Sequence, residues 1–328
     1  MKHARDTKVV IQIVTFNNAE TIRACLRSVK NQKFKNYEPL VIDNASSDTT
    51  PAIVRSLGIR CLQNSTNVGY AAAHNLGFLA SRSAYILTLN PDVQLRQDFL
   101  EKLMFEVARS PRSVGSAQPL LYRVDHMGDG SYIIDSAGLY MTPYRRQMLR
   151  YSGKDARALV LRKQDIFGPD GAAALYRRAM LEDIDLGQGV FDEDYFMHKE
   201  DVDVCWRAQL RGWRSIFVPN SVAYHIRTFR AGHRTHIDTN MRMLAIRNRY
   251  YLMTKNELPL LFIRDVLWIG MYDIAMFVYI LCCEPKSVTA YRLFFESLSV
   301  LRMKRLLIQT RKRVGVRYMA QWFRWRYV

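Results

Sequence analysis

Between residues 8 and 93 the chain alternates four times between a short apolar stretch and a turn-rich or helical one. Residues 8–15 (KVVIQIVT), 37–42, 60–63 and 84–93 (AYILTLNPDV) read as strands. Residues 19–30, 49–57 and 71–81 read as helices, with Ile22, Leu26 and Val29 on one face of the first. Asn17 or Asn18 can cap that helix, and Pro51 suits the first turn of the next. Such alternation calls for a parallel sheet with right-handed crossovers, an α/β fold whose strands end on one common edge.

Open α/β sheets hold their ligands at that edge. Asn17, Asp43, Asn44, Asp48, Asn67 and Asp92 all follow strands. A carboxylate such as Asp43 can accept from the ring N–H of uracil or thymine, or from ribose hydroxyls. Gly69 would let backbone approach a ligand closely. In the 84–93 stretch the apolar run of Tyr85, Ile86, Leu87 and Leu89 must end at Pro91. Asp92 is left in an oxygen-rich turn that suits a hard divalent cation carrying a diphosphate. Ordinary loop-filling, or an Asx-Pro turn into a helix over 95–109, would read the same at any single position. Neither GxGxxG nor GxxxxGK[ST] is present.

The middle of the chain changes character. Residues 114–121 and 132–141 read as strands, with a loop at 127–130. The basic, poorly periodic stretch 144–162 is either a loop over the site or a solvated loop. Gly168, Pro169 and Gly171 break structure before a strand over 172–176. In FDEDYFMHKEDVD (191–203), the helical spacing of Val202, Cys205, Trp206, Gln209 and Leu210 puts Glu200 and Asp201 at a helix start. There they are either capping acids favoured by the helix dipole or a general base. His225 follows a strand at 215–218, as a structural histidine or as a ligand at a site short of acids. A basic segment with His233 and His236 comes next, closing over a diphosphate or lying on the surface.

VVIQIVTFNNAETIRACLRSV, VIDNASSDTT, NVGYAAAHNLGF, LTLNPDV and FDEDYFMHKEDVDVCWRAQLRGW, in this order, resemble the family 2 glycosyltransferases, most of all the bacterial rhamnosyltransferase type. The resemblance covers residues 9–225, about two-thirds of the chain. It implies a GT-A fold, a Rossmann-like mixed sheet flanked by helices, with a nucleotide-sugar half at 8–110 and an acceptor half at 111–240. It implies an Asp-x-Asp-like metal motif, here Asn90-Pro91-Asp92, in which Asp92 carries Mg2+ or Mn2+ and Asn90 is a helper. His225 would complete the metal site. Thr15, Asn17, Asp43, Asn44, Asp48, Asn67, Gly69, Asn75 and Asn90 would serve the donor, and Asp170, Gly171 and Ala172 would lie beside donor and acceptor. The Glu-Asp pair would supply the base, Asp201, with Glu200 in support and the reverse assignment open. The implied reaction moves a sugar, with inversion, from dTDP-rhamnose or a UDP-sugar to a glycan or polyprenyl-linked acceptor in cell-surface polysaccharide synthesis.

Charge bears on the remaining quarter. The net charge is +18, and residues 241–328 hold 16 Lys/Arg against 5 Asp/Glu. Residues 258–283 are apolar and aromatic, but Arg264, Asp265 and Asp273 interrupt them, so no spanning helix is expected. Tyr291, Phe294, Phe295, Leu298 and Leu301 predict one amphipathic helix, followed by basic and aromatic residues. This C-terminal helical, amphipathic basic extension suits peripheral contact with an anionic inner membrane, or packing on the catalytic domain or in a homodimer. Five cysteines without a CxxC pair, and no secretory signal, fit reduced and mostly buried thiols in the cytoplasm. A nucleic-acid-binding protein would explain the basic charge but not four carboxylates on one sheet edge, so no nucleic acid is expected. A catalytically silent sugar-nucleotide binder should lack base or metal ligand, and a nucleotidyltransferase should carry an early Gly-rich phosphate loop.

Overall fold

The computed structural model describes residues 9–124, 131–226 and 238–325. Four strands, β1 (Val9–Thr15), β2 (Tyr37–Asp43), β3 (Arg60–Gln63) and β4 (Tyr85–Leu89), pair in parallel in the order β3-β2-β1-β4. The crossovers are helices α1 (Ile22–Lys30), α2 (Thr50–Ser56) and α3 (Tyr70–Leu79). In α1 the face predicted from spacing is fully buried at Ile22, Leu26 and Val29, worth about 1.5–3 kcal/mol for each large side chain. Beyond β4 the sheet turns mixed: β11 (Ala173–Arg177) runs antiparallel to β4 and to β6 (Val114–Arg123), and β12 (Arg214–His225) runs parallel to β6. Strand β10 (Gln164–Ile166) closes that edge. The apolar sides of α1 and of α4 (Phe99–Ala108) fill one face of the sheet. Those of α3, α5 (Arg178–Asp183) and α6 (Glu200–Leu210) fill the other. This is the mixed, helix-flanked sheet that the resemblance implies.

Several local expectations are corrected. α1 starts at Ile22, because Asn18 closes the first turn with its backbone oxygen while its side chain accepts from the Phe16 N–H. Asn17, at φ 56°, instead accepts from the Ser47 N–H. The helix expected from residue 95 gives way to a short strand, β5 (Val93–Leu95), antiparallel to β12, before α4. The strand expected over 132–141 breaks at Gly138 into β7 (Ile134–Ser136) and β8 (Leu139–Met141). The 144–162 stretch divides: β9 (Gln147–Leu149) pairs with β8, and Arg145 and Arg150 are buried, while residues 152–162 are exposed or half-exposed. The strand at 215–218 continues to His225, because Pro219 falls in the register shift between Val218 and Val222, where no ladder bond is required.

The C-terminal region is helical throughout: α7 (Thr239–Asn256), α8 (Pro259–Cys283), α9 (Thr289–Glu296), α10 (Leu298–Arg311) and α11 (Val316–Ala320). The single amphipathic helix expected at 291–301 is two helices, divided at Ser297. α8 is one helix of 25 residues with a mean hydropathy of 2.0 over its most apolar 18-residue window, so by length and composition alone it could cross a membrane. The three charges that argued against a span do not interrupt the helix: Asp265 and Asp273 are paired against the protein body, and Arg264 pairs with Asp265. All five cysteines are free, but only Cys25 and Cys205 are buried; Cys282 and Cys283 are exposed on α8.

Candidate active site

The sheet register brings the distant segments together. Pairing of Thr15 with Asp43, and of Asp43 with Gln63, aligns the ends of β1, β2 and β3. Because β11 is antiparallel to β4, the residues before β11 meet the end of β4, and the Asn90 N–H donates to Ala172 O at 2.9 Å. Because β5 is antiparallel to β12, His225 pairs with Val93, and the Ile226 N–H donates to Asp92 O. Gly168 has no Cβ to strike Cys205, so the 168–171 loop lies directly on α6. There the Gly171 N–H donates to Asp201 Oδ2 at 2.9 Å.

The result is a cleft of about 460 Å³, within the usual range for small-molecule sites, lined among others by Asn90, Asp92, Asp170, Gly171, Ala172, Glu200, Asp201 and His225. Eight of the predicted residues therefore share one cavity. The other eight do not line it. Asp43 is buried, with Oδ1 accepting from the Thr15 and Ser46 hydroxyls. Asn44 donates to Gly69 O, and Asn67 accepts from the Gly69 N–H. Exposed Asp48 accepts from the backbone N–H groups of Ala19 and Thr50. Asn75 does not reach the cleft: its amide is spent on Phe191 and Glu193. At Gly69 Phe196 approaches closely: a Cβ there would sit 2.6 Å from the Phe196 ring.

The carboxylates at the start of α6 differ in setting. Glu200 is buried, with Oε2 unpartnered, and burial followed by the nearby Asp201 charge pushes its carboxyl up. Asp201 is partly open to the cleft and held by the Gly171 and Val202 N–H groups. Its carboxyl is also raised, by burial and then by Asp170. Just before them the backbone is strained, with positive φ at Phe196, His198 and Lys199. Buried Asn248 of α7 holds that strain by donating to the carbonyls of Tyr195, Met197 and His198.

Across the cleft, His225 Nε2 lies 3.3 Å from Asp92 Oδ1, which is buried without a well-formed hydrogen bond. Two ligands on neighbouring positions of an octahedral cation bound at 2.0–2.1 Å would stand about 3 Å apart, so the pair fits a Mg2+-type ion. Among the described residues no cluster of three such ligands occurs. A cation of this kind takes its remaining ligands from water and substrate phosphates. His225 Nδ1 faces Asp135 of β7 at 2.8 Å. Burial works against a charged His225, but Asp135 and Asp92 beside it prevail and lift its pKa to about 9, so a cation taken up here would displace the Nε2 proton.

Sequence reasoning missed Asp135, Tyr70, Lys199 and Asn248. Asp135 left one signal, a lone carboxylate among apolar residues in YIIDSAGLYM. Tyr70, whose hydroxyl donates to Asn90 Oδ1 at 3.1 Å, looked like the start of a helix. Asn248 left no signal in its basic helix. The expected closure by His233 and His236 lies outside the described residues.

The family model described as "Glycosyl transferase family 2" matches residues 10–185. The chain is 27% identical over 252 residues to the N-acetylglucosaminyl-diphospho-decaprenol L-rhamnosyltransferase of Mycobacterium tuberculosis, covering 67% of this chain and 76% of that protein. It is 24% identical over 237 residues to the amylovoran biosynthesis glycosyltransferase AmsB of Erwinia amylovora, covering 68% and 71%. Among solved structures, GalNAc-T7 with UDP, GalNAc and Mn2+ superposes with a TM-score of 0.59 at 14% identity, over 76% of this chain and 48% of that one. The mannosyltransferase PcManGT from Pyrobaculum calidifontis, in complex with GDP-Man and Mn2+, gives 0.52 at 17% identity, over 93% and 79%.

Proposed function

This chain belongs to glycosyl transferase family 2, and on that premise we propose that it moves L-rhamnose from dTDP-rhamnose to a hydroxyl of a polyprenyl-linked glycan, at the inner face of the membrane. The observation that carries the reading is the placement of a raised carboxylate pair, Glu200 and Asp201, in one cleft with the Asp92–His225 pair. The sugar and the acceptor follow the relative named N-acetylglucosaminyl-diphospho-decaprenol L-rhamnosyltransferase. A UDP-sugar is the second donor choice, because solved structures with the same fold hold UDP.

In this reading Asp201 accepts the proton of the acceptor hydroxyl. It faces the cleft, and two backbone N–H groups fix its orientation. Glu200, raised further by its neighbour, stays protonated and spares Asp201 a second adjacent charge. The acceptor oxygen forms its bond to the anomeric carbon as the bond to the diphosphate breaks on the opposite face, so configuration inverts. A Mg2+ or Mn2+ ion held by Asp92 and His225 would supply positive charge against the departing diphosphate. Asp135 fixes the orientation of His225, and Tyr70 that of Asn90. Thr15, Asn17, Asp43, Asn44 and Asn67 shape the rim where the nucleoside would lie, with Asp48 bracing its outer turn.

The test is a thermal-shift panel of UDP, dTDP, GDP and their sugars with and without Mn2+ or Mg2+, since a ligand of the native state raises its melting temperature. The expected result is a metal-dependent rise with dTDP or UDP that Asp92→Ala abolishes. Folded protein that ignores every nucleotide, yet binds random RNA tightly and salt-sensitively, would replace this reading with nucleic-acid binding.

A further inference from the structure

α8 has its polarity reversed. Its docked stripe includes Leu261, Asp265, Ile269, Asp273 and Ile280 and follows the body over most of the helix, about 37 Å of rise in all. Both acids face inward: Asp265 pairs with buried Arg145 at 2.7 Å, and Asp273 with Arg249 at 2.9 Å. The opposite face carries Ile263, Leu267, Met271, Ile274, Val278 and Leu281, each at least 49% exposed and spaced by three or four residues. An aliphatic stripe of this length needs an apolar medium or a partner. A helix tied to the body on two ion pairs cannot stand across a bilayer without drawing Arg145 and Arg249 into the hydrocarbon, so it lies in the plane.

Charge identifies what covers it. Every carboxylate in residues 241–328 is already matched: Glu257 and Asp265 by Arg145, Asp273 by Arg249, Glu284 by Arg242, Glu296 by Arg292. Lys255, Lys304 and Arg313 pair with acids of the body, but Lys286, Arg302, Arg305, Lys312 and Arg317 have no carboxylate partner among the described residues, so a second copy of this face would meet like charge, whereas an anionic lipid surface is complementary. Beside the stripe, a groove of about 760 Å³ between α7, α8 and α10 is lined by Phe262, Val266 and Ile269 and by Arg302 and Arg305. Neither arginine has a carboxylate partner among the described residues, although Arg305 donates to Thr254 O. Trp268 and Trp325, both about half exposed, stack edge to face at 4.7 Å beside the helix, as residues of a membrane–water boundary do.

We propose that α8 lies in the interfacial layer of an anionic bilayer with the Ile263–Leu281 stripe in the hydrocarbon, and that Arg302 and Arg305 hold the phosphate of an anionic phospholipid at the mouth of the adjoining groove. This deepens the membrane placement proposed above. It also gives the placement a geometry, because α7 carries Ala245 on the catalytic cleft and Met253 and Thr254 on the groove, about 14 Å along one helix.

The experiment is co-sedimentation of the full chain with phosphatidylglycerol-containing and with pure phosphatidylcholine vesicles. Leu267→Glu/Ile274→Glu and Arg302→Gln/Arg305→Gln are compared with the unaltered chain. The positions are exposed or half-exposed, and melting temperature checks the fold of each variant. The expected result is preference for anionic vesicles, a loss of at least tenfold in partition for the glutamate pair on both kinds of vesicle, and a loss for the glutamine pair on anionic vesicles alone. Unchanged partition in folded variants overturns the proposal. So does a glutamate pair that turns a detergent-free dimer into monomer, which would make the face a contact between copies. Nucleotide-induced melting shifts, read on the same samples, report the transferase reading separately.

Discussion

From β1 to α3, polar groups, from buried to exposed, bond across neighbouring loops: Thr15 to Asp43, Ser47 to Asn17, Asn64 to Asn44. In the helices after residue 238, charged groups reach across the chain instead. Lys255 meets Asp192 and, at 3.0 Å, Asp203; Lys304 meets Asp192 and Asp194; Arg145 meets Glu257 and Asp265. Lys255, Asp192, Asp203 and Arg145 are fully buried as side chains. Asp192 and Asp203 sit below the ordinary carboxylate range because the neighbouring cations outweigh the penalty of burial. In the proposed reading these loops form the donor edge, and the acceptor side, with its strained 196–199 turn, takes partners from the C-terminal helices.

The largest expected effect falls on that acceptor side. Asp201→Asn should lower kcat by about 10²–10⁴ in a sugar-transfer assay, the range for loss of a general base, while leaving the nucleotide melting shift intact. Equal loss of both would move Asp201 from chemistry to binding. Lys255→Met leaves Asp203 and Asp192 short of a buried partner and should cost roughly 3–5 kcal/mol in urea unfolding. A cost below 1 kcal/mol would show that the helices dock on apolar contacts alone. Asp135→Asn keeps the shape beside His225 and should weaken Mn2+ affinity by roughly 10–100-fold by calorimetry, as loss of a buried orienting partner does. The smallest effect belongs to the donor edge, where Asp48→Ala removes one local turn anchor and should cost about 1 kcal/mol.

pH separates the two regions as well. In the folded protein Glu200 and Asp201 are raised above their unfolded values, so they bind protons where the unfolded chain does not. Their contribution to stability therefore falls as pH rises from about 4 through their folded values. Activity runs the opposite way, because Asp201 must lose its proton to act. The acid limb of kcat/KM should lie above the ordinary carboxylate range, and Glu200→Gln should leave it in place, because protonated Glu200 carries no charge while Asp201 titrates. An acid limb near pH 4 in the unaltered chain would contradict the buried-pair account.

The four strand–helix repeats, their common edge, the turn that holds Asp92 and the helix start that holds Glu200 and Asp201 were legible because each depends on local pattern. Apolar runs, Pro91 and the spacing from Val202 to Leu210 specify strand ends and a helix start without reference to the rest of the chain. Asp135, Asn248 and the inward acids of α8 were not, because what each does is set by a partner 24–120 positions away. Asp265 and Asp273 looked like breaks in an apolar segment until the position of Arg145 and Arg249 showed which way they point. Gly69 was read as a close backbone approach, and the structure sets Phe196 against it, while the Asn75 amide bonds to Phe191 and Glu193; these partners lie more than a hundred positions away. Composition and periodicity determine which surfaces must be buried. Which buried charge meets which, and therefore which face of α8 is left exposed, is decided only when distant segments share one interior, where an unpaired charge is too costly to leave.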